Sequence, residues 1–233
     1  MEPPSPTVLV AGPHGLEPWL RAYAAAVGAS RVPFNFMANH RLTPAAWTGR
    51  RGAAGAATRS ALRGLGLVPL ATCRVNHCPD AWAVALTHRD GWKVAYSGDC
   101  RPDAGFARLG QGAHVLVHEA TFEDRLGEEA IAKKHSTASE AVRVGRQMRA
   151  ACVLLTHFSQ RYPKIPSGTG GGKGGSDGGP HVCVAFDLMR VRFNELARLS
   201  RLVEPFRCLF PAETAEVDGM SATEAKEPPA RDE

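Results

Sequence analysis

The sequence predicts an α/β protein in which a layer of strands is flanked by helices. Five strand-like apolar runs follow one another between Cys73 and His157, and helix-like segments separate several of them. Strands that alternate with helices favour a layered α/β architecture. With 233 residues, of which 44% are hydrophobic, the chain is long enough for one domain with its own core.

The elements of the first 70 residues are unevenly marked. Thr7–Ala11 is a short apolar run closed by Gly-Pro, and it predicts a buried strand. Apolar residues from Leu16 to Val27 then recur at helical spacing, and Gly28 stands where a helix should stop. Residues 29–70 show only weak patterning, with Pro, Gly and Arg throughout, so no secondary structure is assigned to them.

Strands and helices are clearly marked from Cys73 onward. Helices are predicted at Asp103–Leu109, Phe122–Lys133 and Thr137–Arg149. The last of these opens with Thr137-x-x-Glu140, which is a capping box. The predicted strands are CRVNH, AWAVALTH, WKVAYS, HVLVHE and CVLLTH, followed by a further pair at Val182–Phe186 and Met189–Phe193.

Two segments are not expected to form packed elements. Residues 167–180 are glycine-rich and flexible by composition, and residues 211–233 form an acidic tail that we expect to be disordered. The predicted domain therefore spans residues 1–210. No run reaches the about 18 apolar residues of a membrane span, so no membrane partner is expected. Scattered cysteines without a C-x-x-C pair are expected to be reduced thiols of an intracellular protein.

Metal-capable or acid–base side chains stand at the ends of four predicted strands. His77 follows VN, Asp99 follows YSG, His118 and Glu119 close VLVHE, and His157 follows LLT. In α/β folds the crevice at the carboxyl ends of the strands gathers ligands and catalytic groups. A single histidine at such a position is more often structural, but four such strand ends in succession indicate a site.

Two imidazoles and a carboxylate at these strand ends are the ligands that borderline divalent metals prefer. His77, Asp99 and His157 are separated by 22 and 58 residues, far more than the ligand spacing of a zinc finger. They converge only through the tertiary fold, as the ligands of catalytic sites do. The carboxylate can also bridge two metals, because each of its oxygens can bind one.

A second kind of chemistry is predicted around His135. This residue follows two lysines and immediately precedes the capped helix, where backbone N–H groups and the helix dipole favour anions. A histidine there can contact a phosphate oxygen or protonate a leaving alkoxide, with Glu119 as the acidic partner that keeps the imidazole protonated. The alternative is a surface histidine in a turn before a helix.

The chain contains the segments SGDCRP, HEAT (His118–Thr121), KKHST (Lys133–Thr137) and THFSQRYPKIP (Thr156–Pro166). Together they resemble the carboxy-terminal half of the long form of tRNase Z, the zinc endonuclease that removes the 3′ trailer from precursor tRNA. HEAT, HST and SQRY distinguish that family from other metallo-β-lactamase-fold hydrolases. The resemblance is good from Cys73 to Phe193, and it implies the carboxy-terminal half of a metallo-β-lactamase αββα sandwich.

The resemblance also implies a role for each residue of the site. His77 would bind one zinc ion, His157 the other, and Asp99 would bridge both. Glu119 and His135 would form the pair that protonates the departing oxygen. In that family a complete site holds two zinc ions, which activate the water that attacks the RNA.

The SQRY run adds two further candidates, Arg161 and Tyr162, for contact with RNA or for bracing the site. The implied substrate is precursor tRNA, cut at the phosphodiester 3′ to the discriminator nucleotide. We expect an intracellular protein, and the sequence does not separate the nucleus, the mitochondrion and a plastid as its compartment.

The sequence departs from the family in its most ligand-rich motif. The H-x-H-x-D-H motif, which supplies most zinc ligands and the water-activating aspartate, does not occur in it. Two zinc ions need roughly seven protein ligands, so we expect the chain to be inactive alone and to need an amino-terminal half in cis or a partner subunit in trans. The alternatives are a non-catalytic paralogue that binds tRNA or another subunit, and another hydrolase of the same fold.

Overall fold

A computed structural model describes residues 8–28, 34–45, 56–159 and 178–209. These residues form one six-stranded sheet and one two-stranded sheet, with helices packed around them. The strands are β1 (Val8–Gly12), β2 (Phe34–Ala38), β3 (Leu67–Arg74), β4 (Trp82–His88), β5 (Lys93–Tyr96), β6 (Val115–Glu119), β7 (Cys152–Thr156) and β8 (His181–Val184). The α-helices are α1 (Leu16–Ala26), α2 (Ala56–Gly64), α3 (Ala104–Leu109), α4 (Gly127–Lys133), α5 (Ala138–Met148), α6 (Leu196–Leu199) and α7 (Val203–Leu209).

The six-stranded sheet places its strands in sequence order from β3 to β8. β4 runs antiparallel to both of its neighbours, and the strands from β5 to β8 are parallel. Consequently β3 and the four parallel strands all run in one direction, and their carboxyl ends meet along one edge of the sheet. Glu119 pairs with Thr156, so the residues that follow β6 and β7 are neighbours at this edge.

Helices α3 and α5 cover one face of this sheet. Phe106 of α3 and Met148 of α5 are fully buried, and they belong to the same core as Leu116 of β6 and Leu155 of β7. Gly145 lets α5 approach the sheet closely, because a Cβ there would lie 2.3 Å from a methyl carbon of Val153. This helix-covered layer is the principal core of the described structure.

Among the described residues, the opposite face is covered only at its two ends. At one end Leu196 and Leu199 of α6 pack on the core with Leu154, and at the other end Met37 of β2 packs with Leu70. Between them Tyr96 of β5 is 47% exposed.

The structure confirms the predicted mixed α/β architecture and most of its elements. α1, α3 and α5 occupy predicted helical segments, and α5 begins with the predicted capping box on Thr137. The predicted helix at Phe122–Lys133 is shorter, because a 3-10 turn at Asp124–Leu126 precedes α4. Residues 29–70 contain β2, α2 and the start of β3, which the weak sequence pattern did not reveal.

The strand predicted at Met189–Phe193 is wrong. Leu188 has a left-handed backbone (φ 62°) that turns the chain after β8, and residue 193 begins a 3-10 turn. The side chains of Met189 and Val191 pack against the core beneath α6, so their apolar character reflects burial without strand pairing.

Several predictions are not tested by the described residues. The tail at 211–233 and most of the glycine-rich segment at 167–180 lie outside them, and the domain limits of 1–210 stay a prediction. No helix within the described ranges is long and apolar enough to span a bilayer.

Candidate active site

The predicted site residues within the described ranges lie at the carboxyl edge of the six-stranded sheet, on its loops and, for Glu119, at the end of β6. Because the strands on both sides of β4 run in one direction, the loops after β3, β5, β6 and β7 open on the same side. The loop between α4 and α5 meets them through a bridge from Phe122 to Thr137. These loops bring together His77, Asp99, Glu119, His135 and His157.

His77 and His157 approach the same oxygen of Asp99. The Nε2 atoms of the two histidines lie 3.9 Å and 3.6 Å from Oδ2 of Asp99. These separations exceed hydrogen-bond lengths. Nitrogen and oxygen ligands of one tetrahedral zinc ion stand about 3.4 Å apart. Each imidazole therefore stands, with small adjustments, at the distance from Asp99 that a shared divalent metal would require.

The other ring nitrogens of both histidines are held by protein atoms. Nδ1 of His77 lies 3.1 Å from the carbonyl oxygen of Lys134, and Nδ1 of His157 lies 2.8 Å from Oγ1 of Thr121. A carbonyl oxygen only accepts, so Nδ1 of His77 donates and its Nε2 keeps the lone pair that binds metals. Metal-binding histidines are typically held in this way.

Two of these residues have left-handed backbones, which non-glycine residues seldom adopt. Lys134 has φ 59° and His157 has φ 60°. Such conformations cost of order 1–3 kcal/mol and cluster at functional sites. At Lys134 the conformation ends α4 and belongs to the turn whose carbonyl holds His77. At His157 it belongs to the turn by which the chain leaves β7.

Glu119 is buried beneath His135 and holds its ring. The carboxylate is 1% exposed, and its Oε1 accepts a hydrogen bond from Nδ1 of His135 at 2.8 Å. Because all its partners are donors, the carboxylate has little capacity left for a metal and instead anchors the imidazole. Its five hydrogen bonds come from Cys100 N, Thr121 N, Thr121 Oγ1, Ser136 N and His135 Nδ1.

His135 lies between the two metal-capable histidines. Its ring centroid is 4.7 Å from that of His77 and 5.5 Å from that of His157. One ligand atom from each of His77, Asp99 and His135 lies within 4.8 Å of the others. Since Nδ1 of His135 is engaged by Glu119, its Nε2 is the atom free to exchange a proton with a ligand beside Asp99.

Arg101 joins the Asp99 loop to the turn that carries His135. Its guanidinium donates to the carbonyl oxygen of His135 at 2.5 Å and to both oxygens of Glu140 at 2.5 and 2.7 Å. Glu140 also closes the capping box of α5, so one arginine fixes the His135 turn against the Asp99 loop. Sequence reasoning missed this role, although SGDCRP had marked Arg101 two residues after Asp99.

The loop that carries His77 is held by a second polar cluster. The Trp82 indole donates to Oδ1 of Asp80 at 2.6 Å, and the backbone N–H of His14 donates to Oδ2 at 3.3 Å. The Trp82 hydrogen bond is the main reason that the pKa of Asp80 lies below its usual range. The loop between β1 and α1 therefore contacts the edge of the site.

Among the described residues, no cysteine joins the metal-capable side chains that converge at this site. All six are free of disulfide bonds. Burial raises the pKa values of Cys73, Cys100 and Cys152 to about 12, so these side chains remain neutral thiols. Cys100, next to Asp99, contributes through its backbone N–H, which donates to Glu119.

This geometry does not include the H-x-H-x-D-H motif, which does not occur in the sequence. It also does not include the two residues predicted to contact RNA. Arg161 and Tyr162 lie outside the described residues, so their roles stay predictions. Within the described ranges, the metal-capable side chains that converge here are those of His77, Asp99, Glu119, His135 and His157.

Comparison with known proteins identifies related chains. No protein-family model matches the sequence. It is 43% identical over 158 residues to the zinc phosphodiesterase ELAC protein 2 of Macaca fascicularis, an alignment that covers 68% of this chain and 18% of that protein. It is 31% identical over 226 residues to the mitochondrial ribonuclease Z of Drosophila melanogaster, covering 94% of this chain and 27% of that protein.

The fold is likewise similar to a solved structure. A crystal structure of a long-form RNase Z from yeast superimposes with a TM-score of 0.72 at 26% identity, covering 85% of this chain and 30% of that one. The chain thus spans less than a third of the length of each of these relatives. Sequence and fold agree that the chain belongs to the tRNase Z (ribonuclease Z) family of the metallo-β-lactamase fold.

Proposed function

We propose that this chain forms part of a zinc-dependent endoribonuclease that removes the 3′ trailer from precursor tRNA. The observation that carries the proposal is the meeting of two kinds of chemistry at one sheet edge. Two histidines that approach Asp99, His77 and His157, lie beside a histidine–carboxylate pair, His135 and Glu119. The names of the relatives, a zinc phosphodiesterase and a ribonuclease Z, support the same activity.

In the complete site two zinc ions would be held, one by Nε2 of His77 and one by Nε2 of His157, with Asp99 between them. The separations from Oδ2 of Asp99 and the engaged Nδ1 atoms support this assignment. Zinc supplies Lewis-acid chemistry, since it polarises a phosphoryl oxygen and makes water a stronger nucleophile. An H-x-H-x-D-H segment, in cis or on a partner subunit, would supply the remaining ligands.

The chain's own contribution to the chemical step is a positioned proton donor. Glu119 holds Nδ1 of His135 from beneath, so Nε2 is directed to the side where the phosphodiester would lie. We assign to this Nε2 the proton that passes to the departing oxygen as the P–O bond breaks. General acids in such positions contribute about 10²–10⁴-fold to the rate. Arg161 and Tyr162 remain the candidates for RNA contact beside the site.

The test is cleavage of a precursor tRNA that carries a 3′ trailer. The chain is assayed with zinc, alone and together with a fragment of a long-form relative that contains H-x-H-x-D-H. We expect no cleavage by the chain alone and cleavage 3′ to the discriminator nucleotide by the mixture. In that mixture His135→Ala should lower the rate by at least about 100-fold, and the control His40→Ala, an exposed histidine outside the site, should not.

A second candidate function is a non-catalytic paralogue that binds tRNA or another subunit. The absence of H-x-H-x-D-H from the sequence favours it. A mixture that binds the precursor and the fragment but leaves the RNA intact would support this alternative. A mixture that cleaves equally well with His135→Ala would overturn the proton-donor role.

The proposal also includes an intracellular location. Two relatives, from Drosophila melanogaster and Arabidopsis thaliana, are named as mitochondrial proteins. These names support an intracellular protein, and they favour the mitochondrion over the nucleus and a plastid. Imaging of the tagged full-length protein tests this directly.

A further inference from the structure

The Thr121 hydroxyl lies between the two halves of the site. Its Oγ1 is 2.8 Å from Nδ1 of His157, 2.7 Å from Oε2 of Glu119 and 3.2 Å from Nδ1 of His135. It therefore contacts a predicted metal ligand and both members of the predicted proton-donating pair. None of the roles assigned above includes this side chain.

The hydrogen atoms of this cluster can be assigned from what each group is able to do. A threonine hydroxyl donates one hydrogen and accepts others, whereas a carboxylate only accepts. Thr121 therefore donates to Glu119, and its oxygen is left to accept from Nδ1–H of His157. His135 already donates from Nδ1 to Glu119 at 2.8 Å, which is shorter than its 3.2 Å contact with Thr121.

The consequence is a fixed tautomer for His157. With the hydrogen on Nδ1, its Nε2 keeps the lone pair, and Nε2 is the atom that faces Oδ2 of Asp99. A neutral imidazole without such a partner exchanges between two tautomers, only one of which presents Nε2 as a ligand. The hydroxyl therefore prepares the imidazole for a metal before one binds.

The backbone holds Thr121 firmly in this place. The N–H of Ala120 donates to Thr156 at 2.8 Å, and the N–H of Ser159 donates to the carbonyl of Thr121 at 3.3 Å. These bonds continue the pairing of β6 with β7 past the ends of both strands, on either side of His157. The Thr121 N–H also donates to Glu119 at 3.3 Å. Backbone hydrogen bonds therefore hold Thr121 next to both Glu119 and His157.

We propose that Thr121 is a positioning residue that sets the tautomer of His157 and joins it to the Glu119–His135 pair. Its hydroxyl acts through these residues and contacts neither substrate nor metal. The effect on metal affinity rests on the proposed ligand role of His157, whereas the tautomer itself does not. The proposal therefore makes one claim about the metal-free chain and one about the metal-loaded chain.

The first experiment reads the tautomer in the metal-free full chain. ¹⁵N-labelled histidine side chains are observed by NMR at about pH 8.5, where an ordinary imidazole is neutral, and His157→Gln assigns the resonances of His157. We expect the hydrogen on Nδ1 in the unaltered chain. In Thr121→Val, which keeps the shape and removes the hydroxyl, the resonances should move towards a mixture of tautomers. Thr121→Ser should restore the original spectrum.

The second experiment measures zinc affinity by competition with a chelator. Loss of an orienting partner typically weakens metal binding about 10–100-fold, so Thr121→Val should bind zinc at least about tenfold more weakly than Thr121→Ser. Thr72→Val is the matched control, because Thr72 is 2% exposed and donates its hydroxyl to Asn39 at 2.6 Å. That variant should lose stability without altering zinc affinity.

The outcomes separate this proposal from the proposed function. An unchanged His157 spectrum in Thr121→Val overturns the positioning role, whatever the chain does to RNA. A changed spectrum with unchanged zinc affinity overturns the link to metal binding. Failure of the RNA assay with a changed spectrum and weaker zinc binding would overturn the endonuclease and leave the role of Thr121 standing.

Discussion

Helices α1 and α5 are both eleven residues long, but their environments differ sharply. α5 begins with a complete capping box and buries five of its residues, among them Val144 and Met148. α1 has no side-chain cap and buries none of its residues within the described structure. Its Trp19 and Tyr23 stack on each other with 5.4 Å between ring centroids, and they are 60% and 56% exposed.

The difference shows where the site obtains its rigidity. Most helix stability in proteins comes from packing of an apolar face, because isolated helices of this length are marginal in water. α5 has that packing, and its first turn is tied to Arg101, which also holds the His135 carbonyl. α1 packs beside the two-stranded sheet and makes no comparable connection among the described residues. Stability and site geometry should therefore depend on α5 and very little on α1.

The largest expected effect is that of Met148→Ala in α5. Met148 is fully buried, and its sulfur and methyl group fill the space against Gly110 that a Cβ there would enter. Its truncation should lower the free energy of unfolding by about 2–5 kcal/mol, as for other buried Met and Leu side chains. Urea unfolding measures this, with Gln147→Ala as control. Gln147 is exposed on the same helix, and its truncation should cost less than about 0.5 kcal/mol. Equal losses in the two variants would contradict the burial of α5.

Next in size is Arg101→Leu, which tests the anchor of α5. The variant removes charged hydrogen bonds to Glu140 and His135 in a pair whose side chains are only 16% and 18% exposed. Hydrogen bonds to charged groups contribute about 1.5–3 kcal/mol, so a loss of about 2 kcal/mol is expected in urea unfolding.

A second arginine on the same glutamate provides the control for this prediction. Arg143 approaches Glu140 at 3.6 Å, but its side chain is 61% exposed. Arg143→Leu should change stability by less than about 0.5 kcal/mol, as exposed ion pairs do. Equal losses in the free energy of unfolding for Arg101→Leu and Arg143→Leu would contradict the prediction. They would mean that the hydrogen bond from Arg101 to the His135 carbonyl does not stabilise the fold.

The third prediction concerns pH and His118, which lies in the layer that α5 covers. Burial lowers the pKa of His118, while Glu119 and Glu140 act in the opposite direction with smaller effect. Nδ1 donates to the Glu119 carbonyl at 2.7 Å, and Nε2 has no hydrogen-bond partner among the described residues. The folded protein therefore resists protonation of this ring, whereas the unfolded chain accepts a proton near the ordinary value.

The sign of the effect follows from this difference. The contribution of His118 is fully favourable above the ordinary histidine pKa of about 6.5, and it is lost as the pH falls below that value. Between about pH 7.5 and about pH 5.5 the free energy of unfolding should therefore fall, because the unfolded chain gains a proton that the buried ring resists. The measurement is urea unfolding at both pH values for the unaltered chain and for His118→Gln. The variant should show a smaller loss, and an identical loss would mean that His118 does not cause it.

The sequence predicted the elements that combine strong periodicity with clear end signals. α5 was predicted from the Thr137 cap and its apolar face, and the parallel strands from their aliphatic runs. Met189–Phe193 carried the composition of a strand but packs as a covering segment, because composition reports burial and does not report pairing. β2 and α2 were missed because their short runs are embedded among Gly, Pro and Arg.

The site was accessible to sequence reasoning only in part. Residues whose chemistry is unusual at a strand end, such as Asp99 and His157, could be recognised from their type. Thr121 and Arg101 could not be assigned roles, because threonine and arginine are common and their functions depend on which atoms the fold brings within about 3 Å. The carbonyl of Lys134 is a backbone atom, and no side-chain pattern predicts its contact with His77.

The smallest expected effect is that of Trp19→Ser in α1. An indole that is 60% exposed in the folded chain loses little contact with water on folding, so its removal forfeits mainly the stacking on Tyr23. Such aromatic pairs contribute about 0.5–1.5 kcal/mol, and exposure places this one at about 0.5 kcal/mol. The matched control is Trp82→Ser, which also removes the hydrogen bond to Asp80 and the contact with Arg74. That variant should lose at least about 2 kcal/mol more in urea unfolding, because a tryptophan that starts a central strand is replaced. A large loss in the free energy of unfolding for Trp19→Ser would instead mean that another surface covers α1 in solution. In that case α1 and α5 would both be buried helices, and they would differ only in what packs on them.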